Sequence, residues 1–173
     1  LRDAICSFKY RGKLTLARPL AQLMLNALPQ GLDADVIIPV PLHPTRLRTR
    51  EFNQSLLLAD QLGRHLSRPV SATNLVRTAL TDPQTALSRQ ARLRNLRNAF
   101  TIRRPHDLAG KRILLVDDVF TTGTTVNECA KTLRKAGSGP VFALTLARTV
   151  ETDLVPDRLL TEQTGRPLTT LGI

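Results

Sequence analysis

Residues 113–125, Ile-Leu-Leu-Val-Asp-Asp-Val-Phe-Thr-Thr-Gly-Thr-Thr, limit the fold more than any other stretch of this chain. Four apolar residues predict a buried strand that ends in two aspartates. A run of small residues follows, directly before a helical pattern at Val126, Cys129, Ala130 and Leu133. In open α/β sheets ligands sit outside the carboxyl ends of the strands, which is where this loop falls. Thr121, Thr122, Gly123, Thr124 and Thr125 offer backbone N–H groups and hydroxyls at a helix N-terminus, where unpaired amides and the helix dipole favour an anion. Gly123 lacks a Cβ, so the loop can turn tightly and a phosphate can approach the backbone. Asp117 and Asp118 can accept hydrogen bonds from sugar hydroxyls, directly or through Mg²⁺. The plainer alternative is a strand-turn-helix in which these groups only cap the helix. Two acids followed by Thr-Thr-Gly-Thr-Thr are more than a cap requires.

The rest of the chain alternates helical and strand patterns. Leu16, Leu20, Leu23, Met24, Ala27 and Leu28 keep helical spacing, which predicts a helix over residues 14–28 closed by Pro29 and Gly31. Asp35, Val36, Ile37 and Ile38 predict a short buried strand stopping at Pro39, Val40 and Pro41, because proline cannot donate to a sheet ladder. Leu58, Leu62 and Leu66 place a helix over residues 51–66, and residues 74–77 and 141–146 read as strands. Residues 79–99 read as a polar loop. Arg89, Arg92, Arg94, Arg97, Arg103 and Arg104 fall in a stretch, residues 83–106, that holds no acid. The pattern predicts an α/β fold with a largely parallel sheet. It forms one domain over residues 1–148, and residues 149–173 form a weakly ordered acidic tail.

Composition narrows the function. At 173 residues, a single domain buries about 70% of the surface its unfolded chain exposes and needs no disulfide or metal staple. Cys6 and Cys129 match no metal-ligand spacing and read as reduced thiols. Apolar runs are far shorter than the roughly 20 residues a membrane span takes, and the first residues lack a signal core. The expectation is a soluble cytoplasmic protein with no membrane insertion. Lys and Arg number 25 against 14 acids, a net charge of +11, and the excess lies in residues 1–148. Such a surface attracts polyanions, either phosphorylated metabolites or nucleic acid. There is no G-x-x-x-x-G-K-[ST] and no G-x-G-x-x-G, which removes the P-loop and Rossmann readings.

Residues 117–125 resemble the phosphoribosyl-pyrophosphate (PRPP) motif of type I phosphoribosyltransferases. Three further stretches resemble one branch of that superfamily, the ComF family (competence protein F and the related GntX proteins). They are Phe8-Lys9-Tyr10-Arg11-Gly12; Ile38-Pro39-Val40-Pro41-Leu42-His43 with Arg46, Arg50 and Phe52-Asn53-Gln54; and Arg77, Gln84, Leu87-Ser88, Arg92, Asn95 and Asn98-Ala99-Phe100. Family members usually carry glycine where this chain has Glu51. The paired cysteines of a zinc ribbon, with which many members begin, are not among these residues, so metal-dependent roles of a ribbon are not carried over.

The resemblance implies a type I phosphoribosyltransferase fold and assigns tasks. Asp117 and Asp118 would hold the ribose and, directly or through water or ligand, Mg²⁺. Thr121, Thr122, Gly123, Thr124 and Thr125 would cradle the 5-phosphate. The loop starting at Val40, Pro41 and Leu42 would bind pyrophosphate through backbone amides, with Arg46 and Arg50 beside it, while His43 reads as a structural, hydrogen-bonded imidazole. Gln84, Arg89 and Arg92 would belong to a loop closing over PRPP. A homodimer is common in the superfamily. Two functions stay open at this level. One is a Mg²⁺-dependent phosphoribosyltransferase with a nitrogen acceptor and a role in competence. The other is a non-catalytic, PRPP-regulated protein that binds single-stranded DNA during transformation. With aromatic residues at 3%, any DNA affinity is expected to be electrostatic.

Overall fold

In the computed structural model, the described residues are 2–10, 13–42, 47, 52–78, 98–149 and 169–172. Their elements run, in chain order, α1 (Arg2–Tyr10), a 3-10 turn (Leu14–Leu16), α2 (Ala17–Asn26), β1 (Val36–Pro39), α3 (Gln54–Leu66), β2 (Leu75–Arg77) and β3 (Phe100–Ile102). A second 3-10 turn (Pro105–Leu108), β4 (Ile113–Phe120), α4 (Thr124–Lys135), β5 (Val141–Arg148) and β6 (Thr169–Gly172) follow. The main sheet has the order β1-β4-β5-β6, every pair parallel, and β2 and β3 form a separate antiparallel pair.

Why the strands lie where they do follows from their apolar runs. All four β1 residues are buried, as are residues 113–116 of β4, the pattern of strands covered on both faces. Val36, Ile38, Ile113, Leu115, Val141 and Ala143 face one core, with Val126, Cys129, Ala130 and Leu133 of α4 and Leu75 and Phe100 of the small sheet. Ile37, Leu114, Val116, Leu144 and Leu146 face the other, with Phe8, Leu20, Met24, Leu58 and Leu62 from α1, α2 and α3. Each fully buried Leu, Ile or Phe contributes about 1.5–3 kcal/mol, so both layers are held mainly by apolar burial.

Several expectations shift. The helix read over 51–66 begins at Gln54, because Asn53 in extended backbone caps it and accepts the Ser55 amide. The helix read over 14–28 opens as a 3-10 turn and ends at Asn26. The strand carrying the acidic pair does not end there but continues to Phe120. Past Arg148, Thr169–Gly172 adds an edge strand on β5, placed by backbone pairing where no sequence period marked it.

At the opposite end of the strands from the acidic pair, Arg112 grips Asp35 through two side-chain bonds of 2.7 and 3.1 Å and its amide at 2.8 Å, and Asp33 through another at 2.7 Å. Arg112's hydrogen bonds hold the Asp35 carboxyl well below the ordinary carboxylate range. A depressed native pKa stabilises the fold above the unfolded value, near 4, and loses that contribution as the pH falls. Urea unfolding of the wild type and Asp35→Asn should therefore show a midpoint gap at pH 7 that narrows at pH 3. A gap independent of pH would deny the ion pair a role in stability.

Candidate active site

The site assembles at the C-terminal ends of β1 and β4, where the two strands run side by side, with Pro39 opposite Val116. The Val40 amide extends that pairing by donating to the Val116 carbonyl at 2.8 Å. Val40 therefore stands beside Val116, the residue before Asp117, at the start of the segment 40–42. The expectation that residues 40–42 bind a ligand through backbone amides narrows, however. Val40's amide belongs to the sheet and proline has none, so Leu42 is the one of the three able to supply it.

Asp117 and Asp118 are half-buried, at the point where β4 turns over. Ile113 and Leu115 belong to one core and Leu114 and Val116 to the other. Beyond the acids, Val119 packs on the second core and Phe120 joins the first, the reverse of strict alternation. Asp117 Oδ1 accepts the Ser55 hydroxyl at 3.0 Å and the Asp118 amide at 2.9 Å. Behind it, burial pushes the Cys129 thiol well up, the Asp117 carboxylate adds to that rise and Arg77 opposes it.

Thr121, Thr122 and Gly123 form the turn, and Thr124 and Thr125 open α4. Gly123 is the N-cap at φ +73°, in the left-handed region, and supplies no side-chain cap; α4 has no acid in its first turn. The first-turn amides thus keep the character of an anion site. Thr122 and Thr124 hydroxyls meet at 2.9 Å. Gly123 lies against the Phe120 ring, which carries the Arg148 guanidinium 5.6 Å from its centroid.

Two contributors escaped the sequence reading. Ser55 looks like an ordinary first-turn helix residue, and its partner is 62 positions away. Arg148 is brought near the turn at residues 121–123 by strand register, opposite Phe120. Arg46, Arg50, Gln84, Arg89 and Arg92 lie outside the described residues. Just past β2, the hydroxyl and amide of the exposed Thr78 both pair with the carbonyl of Ala99, the residue before β3.

The two carboxylates suit Mg²⁺ by donor chemistry, being hard oxygens at a strand end. With Asp117 Oδ1 already held by Ser55 and the Asp118 amide, they suit an ion that keeps waters and ligand oxygens rather than an all-protein cage. Among the described residues no group of three or more His, Cys, Asp or Glu could hold a metal ion, and no helix is long and apolar enough to cross a membrane.

Comparison with known proteins agrees with this geometry. The phosphoribosyl transferase domain family matches residues 53–162. Competence protein F of Haemophilus influenzae is 37% identical over 148 residues, covering 82% of this chain and 65% of that protein. DNA utilization protein YhgH of Shigella flexneri is 37% identical over 156 residues, 87% of this chain and 68% of that protein. The chain thus spans about two thirds of the length of these curated relatives. Two solved structures share the fold. Glutamine PRPP amidotransferase from B. subtilis has a TM-score of 0.51 at 23% identity, covering 76% of this chain and 26% of that one. Orotate phosphoribosyltransferase from Aeropyrum pernix has 0.50 at 22%, covering 79% and 62%. The family match over most of the chain, joined to the strand-end acids and the glycine-turned helix start, establishes that the chain belongs to the phosphoribosyl transferase family, in its competence protein F branch.

Proposed function

We propose that this chain binds PRPP together with Mg²⁺ at the ends of β1 and β4 and transfers the phosphoribosyl group to a nitrogen acceptor, within a cytoplasmic protein that serves DNA uptake or use. The observation that carries this reading is the Asp117–Asp118 pair followed at once by a glycine-capped helix start without acid. The first-turn amides and the threonine hydroxyls would take the 5-phosphate, and the carboxylates would accept from the ribose hydroxyls. Leu42 would offer its amide to pyrophosphate, with Arg46 and Arg50 as charge partners, and Gln84, Arg89 and Arg92 would add to its binding. Mg²⁺, when bound, supplies neutralising charge to the pyrophosphate.

In the transfer, the acceptor nitrogen's lone pair forms a bond to C1 of the ribose while the C1–O bond to pyrophosphate breaks and its electron pair leaves with that group. The protein's share is positioning and charge stabilisation, with no covalent nucleophile. The names of the relatives, competence and DNA utilization, support the setting and make single-stranded DNA the partner to test. The excess of positive charge fits that partner and fits PRPP equally.

Calorimetric titration of PRPP, with and without Mg²⁺ at moderate salt, tests the reading. Saturable, Mg²⁺-dependent binding is expected, and its absence would sink the proposal. Repeating the titration with single-stranded DNA, followed by acceptor bases, separates transfer from a non-catalytic, PRPP-regulated role.

A further inference from the structure

We infer that Asn53 and Ser55 are positioning residues that fix the two ligand-holding segments of the site, residues 40–42 and the acidic pair, to one another. The ligand named here rests on the PRPP reading above; the geometry does not. Four hydrogen bonds make a closed circuit. The Val40 amide donates to the Val116 carbonyl at 2.8 Å. The Val40 carbonyl accepts Asn53 Nδ2 at 3.1 Å. Asn53 Oδ1 accepts the Ser55 amide at 3.1 Å. The Ser55 hydroxyl then donates to Asp117 Oδ1 at 3.0 Å, one residue on from Val116.

The start of α3 explains only part of this. Capping needs one acceptor for a first-turn amide, and Asn53 Oδ1 provides it. The Asn53 amide nitrogen and the Ser55 hydroxyl are surplus to the helix, and each reaches a different segment of the site. Ser55 is only 4% exposed, so its hydroxyl bonds a carboxylate where water competes little. The helix itself is a stiff reference, anchored in the core by Leu58, Ala59 and Leu62. Its N-terminal dipole end also favours the Asp117 charge.

The consequence is preorganisation. Oδ1 is held by two donors, the Ser55 hydroxyl and the Asp118 amide, so the Asp117 carboxylate plane is set before a ligand arrives. A ligand bridging the acidic pair and residues 40–42 meets a fixed separation and does not have to order either side on binding.

Ser55→Ala, Ser55→Thr and Asn53→Asp separate this from a structural role. The aspartate keeps the cap acceptor but loses the donor to the Val40 carbonyl. Ser55→Ala should weaken PRPP in the presence of Mg²⁺ about tenfold or more, the usual size for a partner that orients a ligand-holding group. Its melting temperature should stay within a few degrees of wild type, and Ser55→Thr should restore most of the affinity. Asn53→Asp should also weaken PRPP. In the unliganded protein, the Asp118 amide resonance should move in Ser55→Ala, since both donors share Oδ1. PRPP affinity unchanged in Ser55→Ala, or lost in step with stability and not restored by threonine, would overturn the inference and leave the PRPP reading standing. If the wild type binds no PRPP, that reading falls by itself. The Asp118 resonance then decides: movement supports the anchoring, and an unmoved signal refutes it.

Discussion

Replacing both Asp117 and Asp118 by asparagine should abolish measurable PRPP binding in Mg²⁺ while leaving the protein folded. The fold is expected to survive because the side-chain oxygen of an asparagine at 117 can still accept from the Ser55 hydroxyl and the Asp118 amide. Both positions are half-buried and stand beyond the fully buried residues 113–116 of β4, so no core volume is lost. What disappears is charge. Hydrogen bonds to charged groups contribute about 1.5–3 kcal/mol each against about 0.5–1.5 for neutral ones, so exchanging two charged acceptors for neutral ones removes about 2–3 kcal/mol, a factor of roughly 30 to 150 in affinity, before the weakened hold on Mg²⁺ is added. Without Mg²⁺ the sign differs, because two carboxylates repel a polyanion. The double variant should then bind PRPP no worse than wild type. Calorimetry under both conditions, with circular dichroism for the fold, checks the pair of outcomes. A folded double variant with unchanged affinity in Mg²⁺ would remove the acidic pair from the site.

Why the acidic motif could be read from sequence and its supports could not is a matter of range. The strand, the acids, the glycine turn and α4 are contiguous over residues 113–135, and each leaves a local signal in hydrophobic period or side-chain chemistry. The two-faced burial of β1 and β4 was legible for the same reason, as short continuous apolar runs. Ser55 was not, because a serine two residues after Asn53 is what any capped helix could show, and its tie to Asp117 exists only once β4 lies beside α3. The roll of β4 at the acids depends on what packs against Val119 and Phe120, and a period-two pattern cannot register it. Strand β6 is still less visible. Thr169, Thr170, Leu171 and Gly172 carry no clear pattern, and their place is set by parallel pairing with residues 142–145. The short α1, with Ile5 and Phe8 as its buried apolar residues, had too few turns to show a stripe. The amide of Val40 teaches the same lesson in reverse. The family resemblance implied it for a ligand, and the sheet uses it.

Gly123→Ala should be the most damaging single methyl that can be added to the site. Two independent effects act there. The backbone at φ +73° lies in the left-handed region, where an L-residue with a Cβ loses about 1–2 kcal/mol. The added Cβ would also stand 2.4 Å from Phe120 Cζ and 2.9 Å from Cε2, so the ring must move. Phe120 is 6% exposed and packed with α4, and forcing such a side chain aside costs about 1–3 kcal/mol. The expected loss is therefore about 2–5 kcal/mol, accompanied by weaker PRPP binding on the proposed reading, because the same ring lies under the turn at Gly123 and carries Arg148. Gly137→Ala is the matched control: its φ is +89°, yet nothing lies within 4 Å of the added Cβ. It should show the backbone effect alone, about 1–2 kcal/mol, and leave PRPP affinity unchanged. Urea unfolding of the two variants gives the difference directly. Equal losses would mean that the Phe120 ring yields without cost and that Gly123 is required only for its backbone. A larger loss at Gly123, together with weakened PRPP binding, would make the ring a structural part of the phosphate turn.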